Sequence, residues 1–181
     1  METVMNLENG WYILQDVHDT GEEQGLYTDR ESFTEMGPQI SEWEKLSELK
    51  HLQLLLAEQP YFGRELRYFN QAPWWYRYEF DLPNGKEQRI RLRFTNVDYY
   101  CKIWINGQPA GEHEGYSAPF SFDITDLVKP GEKNLLTVKV SSPWDREVEK
   151  GKEDSRTILV KRRMVKGTYE HSDTFIQRDV N

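Results

Sequence analysis

The sequence predicts an all-β protein: an antiparallel β-sandwich or jelly roll with one helical insertion near residues 41–57. Three observations predict it. From Trp74 onward, apolar and polar residues alternate with period two through a series of short runs. Asn-Gly and Pro-Gly pairs stand between those runs and supply the turns that antiparallel neighbours need. Aromatic residues make up 13% of the chain, with six Trp, ten Tyr and eight Phe, a usage that favours strands over a helical bundle.

Taken in order, "GWYILQDV" (Gly10 to Val17) reads as a first strand. Residues 18–40 are polar, carry Gly and Pro38, and read as irregular. In "SEWEKLSELKHLQLLLAEQP", Trp43, Leu46, Leu49, Leu52 and Leu56 recur at spacings of three and four, the pattern of one helix face. Ser41 and Glu44 have capping-box spacing, and Pro60 lies past the end. "WWYRYEFDLP" then alternates, with Trp75, Arg77 and Glu79 on one face and Trp74, Tyr76, Tyr78 and Phe80 on the other. "RIRLRF" sets Ile90, Leu92 and Phe94 against Arg89, Arg91 and Arg93, a strand with one buried face. "YCKIWI" leads into Asn106-Gly107, a tight hairpin turn. His113 to Tyr116 reads as a further turn, "PFSFDIT" as the next strand, and "DLVKPGEKN" as a turn region before the strand "LLTVKVSS". The charged stretch "PWDREVEKGKEDSR" has no apolar period and reads as a loop, and "TILVKRRMV" as a further strand.

A chain of 181 residues is long enough for one domain with a substantial core. Its formal net charge of −8 repels phosphate backbones, so nucleic acid is not an expected partner. With one cysteine, Cys101, there is no internal disulfide, and its apolar strand makes it a small packing residue. No run of eighteen apolar residues exists, so no membrane-spanning helix is expected. The acidic opening "METVMNLENGWYIL" lacks the basic start of a signal peptide.

Chemistry is harder to find. His18, His51, His113 and His171 lack metal-ligand spacing, so no metal is expected. No nucleophile elbow and no phosphate-cradling glycine loop occurs, and no cofactor is expected. The acidic residues fall mostly in polar loops or on solvent faces. Asp98 differs, since it heads an aromatic strand and is expected to be partly buried, making a structural hydrogen bond or meeting a ligand. Sugar recognition uses aromatic faces against the C–H patches of pyranose rings, with carboxylates, Arg or His on the hydroxyls. Trp74, Trp75, Tyr99, Tyr100, Trp104, His113, Tyr116 and Trp144 are candidates on that chemistry, with core packing as the competing role for each. Trp144 beside Asp145 lies in a loop, where binding residues concentrate.

The run "WWYRYEFDLP" followed by "LRFTNVDYYCKIWINGQPAGEHEGYSAPFSFDITDLVKPGEKNLLTVKV" resembles the N-terminal sugar-binding domain of glycoside hydrolase family two, which includes β-galactosidases, β-glucuronidases and β-mannosidases. The likeness is carried by Trp75-Tyr76-Arg77, Val97-Asp98, Asn106-Gly107, Gly111, His113, Gly115, Phe120, Phe122-Asp123-Ile124-Thr125 and the turn from Gly131 to Leu135. "LENGW" at residues 7–11 resembles the family's opening.

The resemblance implies a galactose-binding-domain-like jelly roll spanning residues 1–181 as a single sugar-binding domain, with residues 18–70 an irregular and helical insertion within it. It implies a longer natural polypeptide, in which an immunoglobulin-like domain and a (β/α)₈ barrel follow and the barrel holds the catalytic glutamates. This chain has no room for a barrel, so it is expected to be a non-catalytic fragment of a glycosidase. A carbohydrate is the expected ligand, and Asp179 the candidate for an acid that family members place near the sugar. An autonomous carbohydrate-binding module, or a domain that only docks or oligomerises, are the other readings. A periplasmic or secreted location is an expectation by resemblance alone.

Overall fold

The computed structural model describes residues 3–28, 43–56, 72–84 and 89–141. The chain divides into two compact units, one of residues 1–49 and 73–141, the other of residues 50–72 and 142–181. In the second unit the described residues form one short helix, α1 (Leu52–Leu56).

Among its described residues the first unit holds eight strands: β1 (Tyr12–Gln15), β2 (Glu44–Lys45), β3 (Trp74–Asp81), β4 (Arg91–Phe94), β5 (Tyr100–Ile105), β6 (Gln108–Glu114), β7 (Phe120–Asp123) and β8 (Lys133–Ser141). Among the described residues they make a six-stranded sheet in the order β2-β1-β3-β8-β5-β6 and a two-stranded sheet of β4 and β7. All pairings are antiparallel. The predicted all-β sandwich is therefore the fold observed.

The alternation seen in the sequence becomes burial. Inner-face residues of the large sheet include Ile13, Phe80, Cys101, Ile103, Ile105, Leu136 and Val138, all buried. The small sheet packs against that face: Phe122 lies against Gly111 of β6, where a Cβ would run into its ring. The opposite face of the large sheet is covered too. There Leu14, Trp75 and Trp104 form a cluster with Leu26, and Tyr27 and Trp43 pack beside it. This is why Trp74 and Trp75, neighbours that point to opposite faces, are both buried.

Asn106 (φ 51°) and Gly107 (φ 79°) make the expected hairpin between β5 and β6. Asn106 also donates through Nδ2 to the Leu127 carbonyl (2.9 Å) and to Asn134 Oδ1 (2.8 Å), tying the hairpin to the turn before β8.

Three expectations need correction. The helix expected over residues 41–57 is limited, among the described residues, to Leu52–Leu56. Glu44–Lys45 instead pair with Tyr12 and Ile13, and the Leu46 N–H donates to the Trp11 carbonyl at 2.9 Å. Backbone bonds to a neighbouring strand outweigh a helical apolar pattern of moderate length. His113 is not in a turn but in β6, opposite Cys101. Asp98 is exposed in the bend before β5, because that strand starts two residues later. The expected loop at residues 143–156 and the strand "TILVKRRMV" lie outside the described residues.

Candidate functional site

One end of the first unit's sandwich collects Asp98, Tyr99, Tyr100, His113 and Tyr116, and strand register and the adjoining loops put them there. Gln15, Trp74, Val140, Cys101 and His113 form one row across five strands. The next row outward sets Ser141 and Glu114 on either side of Tyr100. The bend at residues 95–99 and the turn at 115–119 close over this end. The Tyr99 N–H donates to the Ser141 carbonyl (3.4 Å), and the Gly115 N–H to the Tyr99 carbonyl (3.0 Å), so the two loops are tied to each other and to the exit of β8.

The end is aromatic. His113 stacks on Phe120 with ring centroids 3.8 Å apart and planes at 14°. Phe120 stacks in turn on Phe94 at 5.0 Å and meets Phe122 edge-on at 5.7 Å. Tyr99 and Tyr100 meet edge-to-face at 4.9 Å. Tyr99, Tyr100 and Tyr116 are half-buried, so each keeps part of its surface open. His113 Nε2 is buried and has no hydrogen-bond partner among the described residues. The geometry offers partly open rings, an imidazole and the exposed carboxylate of Asp98. Such groups can make ring contacts and hydrogen bonds.

Other candidates separate from this set. Trp74 is only 7% exposed and Trp75 is fully buried, so neither presents a ring face to a ligand. Trp104 is sandwiched between Tyr27 and Trp75, each 5.3 Å away. Trp144, Asp145 and Asp179 lie outside the described residues. Phe94 and Phe120 were not candidates; their position flanking the two loops was the available signal.

On the opposite face of the large sheet sits a charged latch that the sequence reading also missed. Asp16 is buried, and its carboxylate accepts from the Thr20 N–H (3.0 Å), the Gly21 N–H (2.7 Å) and Trp75 Nε1 (3.1 Å). Lys139 Nζ donates to Asp19 Oδ1 (2.5 Å) and Glu22 Oε1 (2.8 Å), while Lys102 donates to Glu22 Oε2 (2.9 Å). Burial works against charge on both Glu22 and Lys139. The hydrogen bonds and charges between them, Asp19 and Lys102 overcome it. Glu22 therefore sits below its ordinary pKa and Lys139 above its own. A lysine in the middle of an apolar strand was the sequence signal for this latch. Its donors and acceptors are satisfied by one another, so it reads as a clamp on residues 16–28.

Among the described residues, no group of three or more His, Cys, Asp or Glu could hold a metal ion, and no helix is long and apolar enough to cross a membrane.

The described residues thus form a β-sandwich with half-buried aromatic groups at one loop end. Residues 46–176 match the family described as glycosyl hydrolase 2 galactose-binding domain-like, and the chain belongs to that family. Curated relatives include a β-galactosidase of Thermoanaerobacter pseudethanolicus, 36% identical over 76 residues, covering 41% of this chain and 10% of that protein. A β-glucuronidase of Bacteroides fragilis is 43% identical over 60 residues, covering 33% of this chain and 9% of that protein. Among solved structures, a β-glucuronidase from Ruminococcus gnavus in complex with C6-substituted uronic isofagomine has the same fold over 78% of this chain and 23% of its own, with a TM-score of 0.57 and 22% identity. The matched stretch thus spans about a tenth of the length of the curated relatives.

Proposed function

We propose that this chain is a non-catalytic carbohydrate-binding or accessory domain of a family 2 glycoside hydrolase. In this reading the sandwich's loop end helps to shape the substrate pocket of a (β/α)₈ barrel on the same polypeptide, with an immunoglobulin-like domain between them. One observation carries the reading. A chain of this family matches only about a tenth of each relative named as a glycosidase, and its partly open polar and aromatic groups gather at one end. A glycoside is the ligand. Asp98 and His113 supply polar contacts, Tyr99 and Tyr116 supply ring faces, and Trp144, Asp145 and Asp179 are further candidates by sequence alone. Trp74 acts as a core residue.

The test has two arms. The isolated chain is titrated with galactosides, glucuronides and mannosides by tryptophan fluorescence and calorimetry, and assayed with nitrophenyl glycosides. The expected result is no turnover and no saturable binding tighter than about 1 mM, roughly −4 kcal/mol. In the chain joined to its barrel, Asp98→Ala and His113→Ala should raise KM. Tight binding by the isolated chain would instead identify an autonomous module. Turnover by it, or an unchanged KM in both variants, overturns the proposal.

A further inference from the structure

The outer face of the β4–β7 sheet carries a basic stripe that nothing above uses. Arg89, Arg91 and Arg93 alternate with Ile90, Leu92 and Phe94. Leu92 is buried on the inner side, and all three arginines are exposed on the outer one. Register sets Arg91 opposite Asp123 and Arg93 opposite Ser121. Asp123 is the one carboxylate that β7 brings to this face. It is already engaged: it accepts from the Thr125 hydroxyl (2.6 Å) and N–H (3.1 Å), and pairs with Arg89 at 3.5 Å. Among the described residues, one occupied carboxylate stands against three guanidinium groups, on a chain whose net charge is −8.

Alternate side chains of a strand repeat about every 6.7 Å, so Arg91 and Arg93 stand about that far apart along β4, and Arg89, two residues before the strand begins, extends the row through its pair with Asp123. The row has the reach of a short oligomer, more than that of one small anion. Guanidinium groups hold carboxylates with paired, parallel hydrogen bonds. Among the described residues the face offers Arg89, Arg91, Arg93, Ser121 and Asp123, and no large apolar side chain. Protein interfaces rest on buried aromatic or aliphatic anchors, and this face has none to give. A linear polyanion needs no anchor. Duplex nucleic acid also needs none, but its dense charge meets an acidic molecule beyond the stripe.

We propose that the outer face of the β4–β7 sheet is a docking surface for an acidic polysaccharide, a glycan chain with carboxylates at regular intervals, gripped by Arg89, Arg91 and Arg93. This surface is separate from the loop end and does not depend on the function assigned there.

The test is titration of the full chain with polygalacturonate by calorimetry and affinity electrophoresis. A neutral galactan, polyglutamate and duplex DNA serve as comparison polymers. Polygalacturonate should bind at about 20 mM salt and weaken at least about tenfold at about 300 mM, because exposed charge pairs are screened. The double variant Arg91→Gln/Arg93→Gln should lose about tenfold at low salt with an unchanged melting temperature, since it removes two of the three guanidinium contacts and both side chains are exposed. Lys133→Gln, an exposed charge on β8, should leave binding unchanged. Galactan should not bind. No binding of polygalacturonate at low salt overturns the proposal, as does equal binding by the double variant. Binding of polyglutamate or DNA as tight as that of polygalacturonate also overturns it, by showing attraction to any polyanion.

Discussion

The Trp75 indole N–H donates to the Asp16 carboxylate at 3.1 Å, across 59 positions of sequence, and fixes residues 16–28 over the buried tryptophan. Gly21 belongs to the same knot, since a Cβ there would crowd Leu26, Trp75 and Asp16. Removing the carboxylate leaves three donors in a site with little water. Asp16→Ala should cost about 3 kcal/mol, from lost charge-assisted bonds and orphaned donors. Asp16→Asn, which keeps the shape and an acceptor oxygen, should cost less. Urea denaturation of the two variants checks the order, and equal losses would remove the argument.

The Lys139–Glu22 clamp predicts a pH dependence with a definite sign. Glu22 has a lowered pKa, so its contribution is present above the ordinary value of 4.5 and is lost as pH falls through the folded value. Lys139 has a raised pKa, so its contribution is present below 10.5 and is lost as pH rises through its folded value. Lys139→Met should therefore destabilise most between these limits, by about 2 kcal/mol, between the figures for exposed and buried pairs. The gap from the native chain should narrow on acidification below 4.5. Denaturation of both chains at a series of pH values measures it.

Gly111 lies under the Phe122 ring, where the two sheets meet. Gly111→Ala should cost about 2 kcal/mol through overpacking. Phe122→Leu in the same chain should return part of that loss, because it frees the space that the methyl needs. A double-mutant cycle with no coupling would show that the sheets move apart freely at this point.

Cys101 is shielded. Burial raises its thiol pKa to about 11, with the nearby Glu112 adding to the rise and a hydrogen bond from the His113 backbone opposing it. The thiolate is the reactive form, so alkylation at pH 8 should be slow in the native chain and fast in urea. Rapid native labelling would mean that β5 and β6 separate far more often than their pairing suggests.

Strands were legible wherever one face is buried, because alternation then appears directly in the residue types, as in Arg91 to Phe94 and Tyr100 to Ile105. β2 was not legible. Two residues cannot show a period, and Trp43 and Leu46 mimic a helical spacing while packing for other reasons. β6 was obscured by Pro109 and Gly111 and by the register shift opposite Ile103 and Trp104, which interrupt any alternation. Of the candidate site, His113 and Asp98 could be picked out by residue type near aromatic runs, but their places, in β6 and in the bend before β5, could not. The burial of Trp74 could not, since it depends on which strands lie beside it. Nor could the stacking of His113 on Phe120, which joins two sheets.

The place of β8 sets the order of events during synthesis. It is the last of the described strands, yet it lies between β3 and β5 in the large sheet, and among the described strands β1 meets β8 only through β3. On the ribosome, β5 and β6 can meet as a local hairpin as soon as both have emerged. The pairs of β3, from Trp74↔Val140 to Asp81↔Lys133, must wait for β8. Until then the tryptophans of β3 lack half of their neighbours in the sheet. Closing such distant pairs is slow compared with local hairpin formation. The nascent chain thus passes through a period with exposed aromatic strands, when a chaperone has most to protect.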